Sequence, residues 1–240
     1  MSREPLLKVA GLVKRFGAFR ALDGLNLDVA PGEVLGLVGP NGSGKTTCIN
    51  VISGLYPPDG GEVSFAGTRI GGLPSHRLVH CGINRTFQVP RPFLPLTVRE
   101  NVEIAGAYGR NPGGEVDALA LLASLDLDGV AARAAGELNS AQQKMLDLAR
   151  ALATGPRLLL VDELAAGLNP GELDRVAARL RELARAGIAL LVVEHLMSFV
   201  DQITDRVVVM NAGREIFEGV LGDAVKDPQV VEVYLGGANG

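Results

Sequence analysis

The chain has 240 residues, enough for one large α/β domain or one domain with a small insert. A net charge of −4, 4% aromatic residues and no tryptophan leave neither the basic footprint nor the stacking surface of a nucleic-acid binder, and 47% hydrophobic residues suit a well-filled core. No apolar run approaches the roughly 20 residues that cross a bilayer, and Met1 to Pro5 precede a strand-like segment without a signal-peptide core, which points to the cytoplasm.

The N-terminal part reads as β. Leu6 to Val13, Leu25 to Val29 and Glu33 to Val38 are apolar or alternating runs, separated by Arg15-Phe16-Gly17 and Ala30-Pro31-Gly32. A helix is expected from Thr46 to Ile52, then a strand within Gly60 to Gly67, and another over Ile83 to Gln88. Cys48 falls in that first helix as a small buried residue, and with Cys81 it makes no disulfide or metal framework. From Val89 to Thr154 the chain changes character. Pro90, Pro92 and Pro95 lead into stretches rich in Ala and Leu, a helical insert in an α/β frame. The frame resumes with Arg157 to Glu163, whose Leu and Val run fits a strand covered on both faces. A polar helix over Gly171 to Ala186, a strand over Ile188 to Val193 and a helix from about His195 follow. Arg206 to Met210 and Glu215 to Phe217 flank the hairpin turn Asn211-Ala212-Gly213. Two short helices then precede a flexible end at Gly236 to Gly240, and no internal repeat is present.

Three segments carry chemistry. Gly39-Pro40-Asn41-Gly42-Ser43-Gly44-Lys45-Thr46 matches the phosphate-loop pattern and lies between a strand and a helix. Its glycines permit close backbone approach to phosphates, and the following helix adds N–H groups and dipole. Lys45 is placed to reach the β- and γ-phosphates of ATP or GTP, and the Thr46 hydroxyl to meet Mg²⁺. Asp162 and Glu163 end an apolar strand. Adjacent carboxylates there either serve a cation and a proton or are simply solvated acids. Asn139 to Gln143 opens a helix over Lys144 to Ala153, with Ser140 or Asn139 as N-cap and Met145, Leu148 and Leu152 on one face. A capped helix with an apolar stripe explains that segment by itself.

In motif order over nearly its full length the chain resembles the ATP-binding cassette of an ABC transporter. Gly39 to Thr47 is similar to the Walker A loop, Arg85-Thr86-Phe87-Gln88 to the Q-loop and Leu138-Asn139-Ser140-Ala141-Gln142 to the signature. Asp162 with Glu163 resembles Walker B and its glutamate, Ala166 to Asn169 the D-loop, and His195 the switch histidine. The resemblance implies the following fold: a phosphate-loop NTPase α/β core with an N-terminal antiparallel β subdomain (residues 1–88 and 156–240) and a helical subdomain over about 89–155, in one domain. It implies ATP held by Phe16, Gly39, Asn41, Gly42, Ser43, Gly44, Lys45, Thr46 and Thr47, and across a dimer by Ser140, Ala141 and Gln142. Mg²⁺ would be held by Thr46, Gln88 and Asp162. Catalysis would fall to Glu163, His195, Lys45 and Gln88. Phe16 as a strand-end aromatic and His195 as a structural histidine are the ordinary alternatives.

Within the family, Arg85 to Gln88, Ala165 to Pro170, Val193-Glu194-His195 and the segment Asp227 to Gly236 resemble cassettes of branched-chain amino-acid uptake systems, with amide and urea importers sharing much of this. The implied partners are a second cassette, identical or a sister chain, in a head-to-tail dimer, two transmembrane permease subunits, and indirectly a solute-binding protein, with this chain peripheral on the cytoplasmic face of the membrane. Three positions depart from the pattern: Ala141 for the second signature glycine, Leu164 for a proline and Leu196 for an aspartate. The insert also looks short between Tyr108 and Val116. Working hydrolysis and a weakened, binding-only regulatory cassette both remain open from sequence. A translation or DNA-repair ATPase would need a second cassette or long coiled coil. A small-molecule kinase on the same loop would not explain Gln142 or His195.

Overall fold

The computed structural model describes residues 4–110 and 116–236. The leader residues 1–3, the stretch 111–115 of the short insert segment and the glycine-rich end 237–240 lie outside them. In chain order the elements are β1 (Leu7–Phe16), β2 (Phe19–Val29), β3 (Val34–Val38), α1 (Lys45–Ile52), β4 (Gly60–Phe65), β5 (Thr68–Arg69), α2 (Ser75–Cys81), β6 (Ile83–Arg85) and α3 (Val98–Ala107). There follow α4 (Ala118–Ala123), α5 (Ser140–Ala153), β7 (Leu158–Asp162), α6 (Pro170–Arg185), β8 (Ala189–Val193), α7 (Met197–Ile203), β9 (Arg206–Asn211), β10 (Arg214–Gly219), α8 (Leu221–Ala224) and α9 (Pro228–Gly236).

The strands that read as continuous apolar runs form the centre. β3, β7 and β8 are buried at every position. They lie inside a six-stranded sheet of order β10-β9-β3-β8-β7-β6, parallel except for β10 at its edge. Burial on both faces is why their sequences do not alternate. A second sheet, β2-β1-β4-β5, is antiparallel, and β1 alternates buried and exposed residues over its first half. Arg214 and Glu215 of β10 bond Asp23 and Asn26 of β2, joining the two sheets at one edge. One apolar cluster packs α1 between the sheets, and another packs α3, α4, α5 and α6 on the other face of the main sheet.

Several boundaries differ from the sequence expectation for identifiable reasons. β1 and β2 run on through a tight turn at Gly17, φ +61, so Phe16 ends a strand. The strand expected to reach Gln88 stops at Arg85. The Phe87 N–H is taken by the Asp147 carboxylate at 2.8 Å and leaves the ladder. The helix expected from His195 starts at Met197, which leaves His195 in the gap after β8. The segment through Pro90, Pro92 and Pro95 has no regular element, and buried Asn101 pins it through the backbone N–H and C=O of Phe93.

Two stability readings follow from this packing. Leu160 is fully buried in β7; Leu160→Ala should lower the unfolding free energy by about 3 kcal/mol in urea denaturation, and a loss under about 1 kcal/mol would show that the sheet centre contributes little. Cys48 is buried with its thiol pushed up to about 12 by burial, whereas Cys81 is exposed. Alkylation should therefore modify Cys81 alone in the native chain and both cysteines only after denaturation; fast labelling of Cys48 in the folded chain would contradict this.

Candidate nucleotide site

The loop between β3 and α1 is shaped around glycine. Gly39 has φ +147 and Gly44 φ +107, regions that L side chains rarely adopt. A Cβ on Gly39 would stand 2.2 Å from the Met210 carbonyl oxygen, and one on Gly44 2.6 Å from that of Ala21. β9 and β2 thus press the loop into its cradle. Gly44 is the N-cap of α1 and supplies no side-chain acceptor, so the first N–H groups of the helix stay available. The Ser43 hydroxyl is buried with no hydrogen-bond partner. Lys45 Nζ donates to the carbonyls of Gly39 (2.7 Å) and Pro40 (3.0 Å). Burial pushes its pKa below the ordinary lysine value, against the pull of Glu163 and Asp162. Unsatisfied donors, a buried orphan hydroxyl and an ammonium around a concave backbone fit a polyphosphate.

The second half of the site comes from the ends of β6, β7 and β8. Asp162 is buried and pairs with Arg85 at 3.0 Å, while Arg85 also donates to Asn50 of α1 at 2.6 Å. Burial raises the Asp162 pKa despite Arg85, and burial likewise lowers that of Arg85. Glu163 follows in the left-handed region, φ +49. Its carboxylate accepts from Gln88 Nε2 at 2.5 Å on one oxygen and meets His195 Nε2 at 2.7 Å on the other. Two residues far apart in sequence, Gln88 and His195, are thereby brought to the carboxylate of a third, which stands in left-handed backbone just after β7.

The other expected residues are placed less closely. Phe16 lies at the end of β1, 44% exposed, edge-on to Tyr56 at 5.2 Å between ring centroids. Asn41, Gly42 and Thr46 are exposed in and just after the loop, and Thr47 is half-buried in α1. Asn139, rather than Ser140, caps α5: its side chain accepts from Gln142 N–H at 2.8 Å, and Gln142 Oε1 accepts from Asn139 N–H at 3.2 Å. Ser140 and Ala141 are in the first turn of α5. Ala141 sits in ordinary helical backbone, so its Cβ introduces no strain there. Leu164 is buried, and Leu196 is exposed as the uncapped N-cap of α7.

Sequence reasoning missed Arg85, Asp147, Lys144 and Glu194 as members of this site. Asp147 is buried, and burial raises its pKa while it anchors Phe87 beside Gln88. A signal for two of them existed: Lys144, Asp147 and Ala151 recur at helical spacing on the buried side of α5.

A nucleotide cradle at a parallel-sheet edge, facing a paired Asp-Glu strand end, defines a phosphate-loop nucleotide hydrolase. A model of the ABC transporter family matches residues 22–166. The high-affinity branched-chain amino acid transport ATP-binding protein BraF of Pseudomonas aeruginosa is 38% identical over 256 residues, 99% of this chain and 100% of that protein. The solved ADP conformation of an ATP-binding cassette of an ABC transporter superposes with a TM-score of 0.87 at 35% identity, covering 97% of this chain and 99% of that one. A dimeric bacterial ABC transporter cassette matches with a TM-score of 0.81 at 26% identity, over 90% and 98% of the two chains. The chain belongs to the ABC transporter family and is one of its ATP-binding cassettes.

The loop geometry makes a direct prediction. Gly44→Ala should weaken binding of a fluorescent ATP analogue by about tenfold or more, because the loop must shift away from Ala21. Unchanged affinity would show that the cradle does not depend on that approach.

Proposed function

We propose that this chain is the ATP-hydrolysing subunit of an importer for branched-chain amino acids, working at the cytoplasmic face of the membrane as half of a head-to-tail cassette pair. The transported class is supported by the names of the full-length relatives. Pairing is supported by the dimeric cassette of the same fold. No described helix is long and apolar enough to cross a membrane, so the transmembrane path belongs to two permease subunits, with a solute-binding protein delivering to them. A groove lined by His80, Phe87, Phe93, Tyr108 and Arg150 opens beside the loop that carries Gln88. Its exposed Tyr108 and Phe93 support docking of the permeases there.

The observation that carries the reading is the Glu163 carboxylate held between Gln88 and His195 beside the phosphate loop. The loop N–H groups, the Ser43 hydroxyl and Lys45 bind and neutralise the phosphates of ATP, with Phe16 at the adenine and Thr47 completing the cradle. Among the described residues no group of three or more His, Cys, Asp or Glu surrounds a metal position. That fits Mg²⁺, which is bound through one or two carboxylates plus substrate phosphates. Thr46, Asp162 and Gln88 would hold it, and it would neutralise charge on the transferring phosphoryl group. Glu163 accepts the proton of the attacking water, and His195 orients that water and the γ-phosphate. Ser140, Ala141 and Gln142 present the α5 N-terminus to the nucleotide of the other cassette. Removal of the γ-phosphate releases that bridge, and the opening of the pair is the motion the permeases use.

Glu163→Gln should bind ATP normally, lose most turnover, about a hundredfold or more, and accumulate as a closed pair on size exclusion with ATP; turnover near wild type would remove the assigned role. Ala141→Gly should leave hydrolysis unchanged or raise it, since alanine is already accommodated by helical backbone; a large loss would show that the methyl group is a working part of the site.

A further inference from the structure

The turn Glu163 to Ala166 after β7 is held by two buried charges of opposite sign on different elements. Lys144, in α5, is 8% exposed, and its ammonium donates to the carbonyls of Glu163 (3.1 Å), Leu164 (3.2 Å) and Ala166 (2.5 Å). An ammonium has three N–H donors, so this one turn consumes all of them. From the other side Glu194, at the end of β8 and 3% exposed, accepts the Ala165 N–H at 2.8 Å. The Glu163 N–H itself donates to the Val193 carbonyl at 2.9 Å. The backbone of the turn is thus fixed from both flanks.

What is fixed is a strained residue. Glu163 at φ +49 occupies the left-handed region, which costs a non-glycine residue about 1 kcal/mol or more and persists only where surroundings enforce it. The enforcement is itself costly, since burial disfavours the charge on both Lys144 and Glu194. Apolar side chains would fill the same space with less desolvation. Lys144 also belongs to the helix whose first turn, Ser140 to Gln142, is the part directed at the other cassette.

We propose that Lys144, opposed by Glu194, is a positioning residue for hydrolysis: it holds the backbone of Glu163 in the conformation that aims its carboxylate at water, and it ties that backbone to the signature helix α5. This rests on the reading of Glu163 as the general base. A shift of α5 on meeting the other cassette's nucleotide is transmitted through the Lys144 ammonium to the base. Neither Lys144 nor Glu194 needs to touch ATP.

The full chain is assayed as Lys144→Met, Lys144→Arg, Glu163→Gln and the double variant Lys144→Met with Glu163→Gln. Lys144→Met should lower kcat by about a hundredfold while the ATP dissociation constant stays within about twofold of wild type. Lys144→Arg should recover most of the rate. The double variant should be no slower than Glu163→Gln alone, because the lysine acts through that carboxylate. Wild-type kcat in Lys144→Met, a loss of ATP affinity that matches the loss of rate, or a double variant slower than Glu163→Gln would each overturn the proposal. Should Lys144→Met fail to melt cooperatively, Glu194→Leu, which removes the acceptor of the Ala165 N–H, takes its place in the same cycle with the same expected losses. Full turnover in Glu163→Gln would remove the base assignment and the positioning role together. A dead Glu163→Gln beside a fully active Lys144→Met would remove only the positioning role.

Discussion

Backbone N–H groups held in a concave loop with no acceptor of their own are the constraint from which the rest of this molecule follows. To keep the loop from Gly39 to Lys45 open, its flanks must be rigid and close. β3 is buried on all sides, β9 brings the Met210 carbonyl against Gly39, and β2 brings the Ala21 carbonyl against Gly44. Only glycine fits either contact. The parallel sheet therefore serves as a frame that aims donors outward at its carboxyl edge, where open α/β sheets bind ligands. The small antiparallel sheet closes one side of the same cradle through β2.

Opposite the donors stands a group of carboxylates whose placement is equally determined. Asp162 is buried against Arg85, and Arg85 is braced on Asn50 of the helix that follows the phosphate loop. Asp162 and the helix that follows the phosphate loop are thus linked through one guanidinium. Glu163 breaks the regular backbone and points its carboxylate at Gln88 and His195 instead. Each of these two sits in irregular backbone after its strand: Gln88 because Asp147 takes the Phe87 N–H, and His195 in the gap between the end of β8 and the start of α7 at Met197. Irregular backbone at strand ends is what lets side chains from separate strands converge.

Much of the frame was legible in the sequence because its physics is local. Leu158 to Val161 and Leu190 to Val193 are apolar without alternation, the mark of strands covered on both faces, and Gly39 to Thr46 announces its own loop geometry. The helical insert was legible as a change of composition. What was not legible depends on contacts between distant segments. β5 and α2 are short and carry little periodicity. The end of β6 is set by Asp147, sixty residues away from Phe87 in sequence. Lys144, in a helix read as capped with an apolar stripe of Met145, Leu148 and Leu152, gives no warning that three carbonyls of the turn after β7 surround it. Convergence of Gln88 and His195 on Glu163 followed only from the resemblance of motif order; chain positions alone do not contain it. Ala141, a departure in sequence, is unremarkable in space because its backbone is helical.

On the function proposed above, the free donors of the Gly39–Lys45 loop and the first turn of α1 hold ATP. Amide hydrogen exchange of the full chain, followed by mass spectrometry with and without ATP and Mg²⁺, reads those donors directly. The largest nucleotide-dependent slowing should fall on the amides of Asn41, Gly42 and Gly44 to Thr47, for which the described residues supply no acceptor. Unchanged exchange across that segment under conditions where ATP is bound would show that these donors do not hold it.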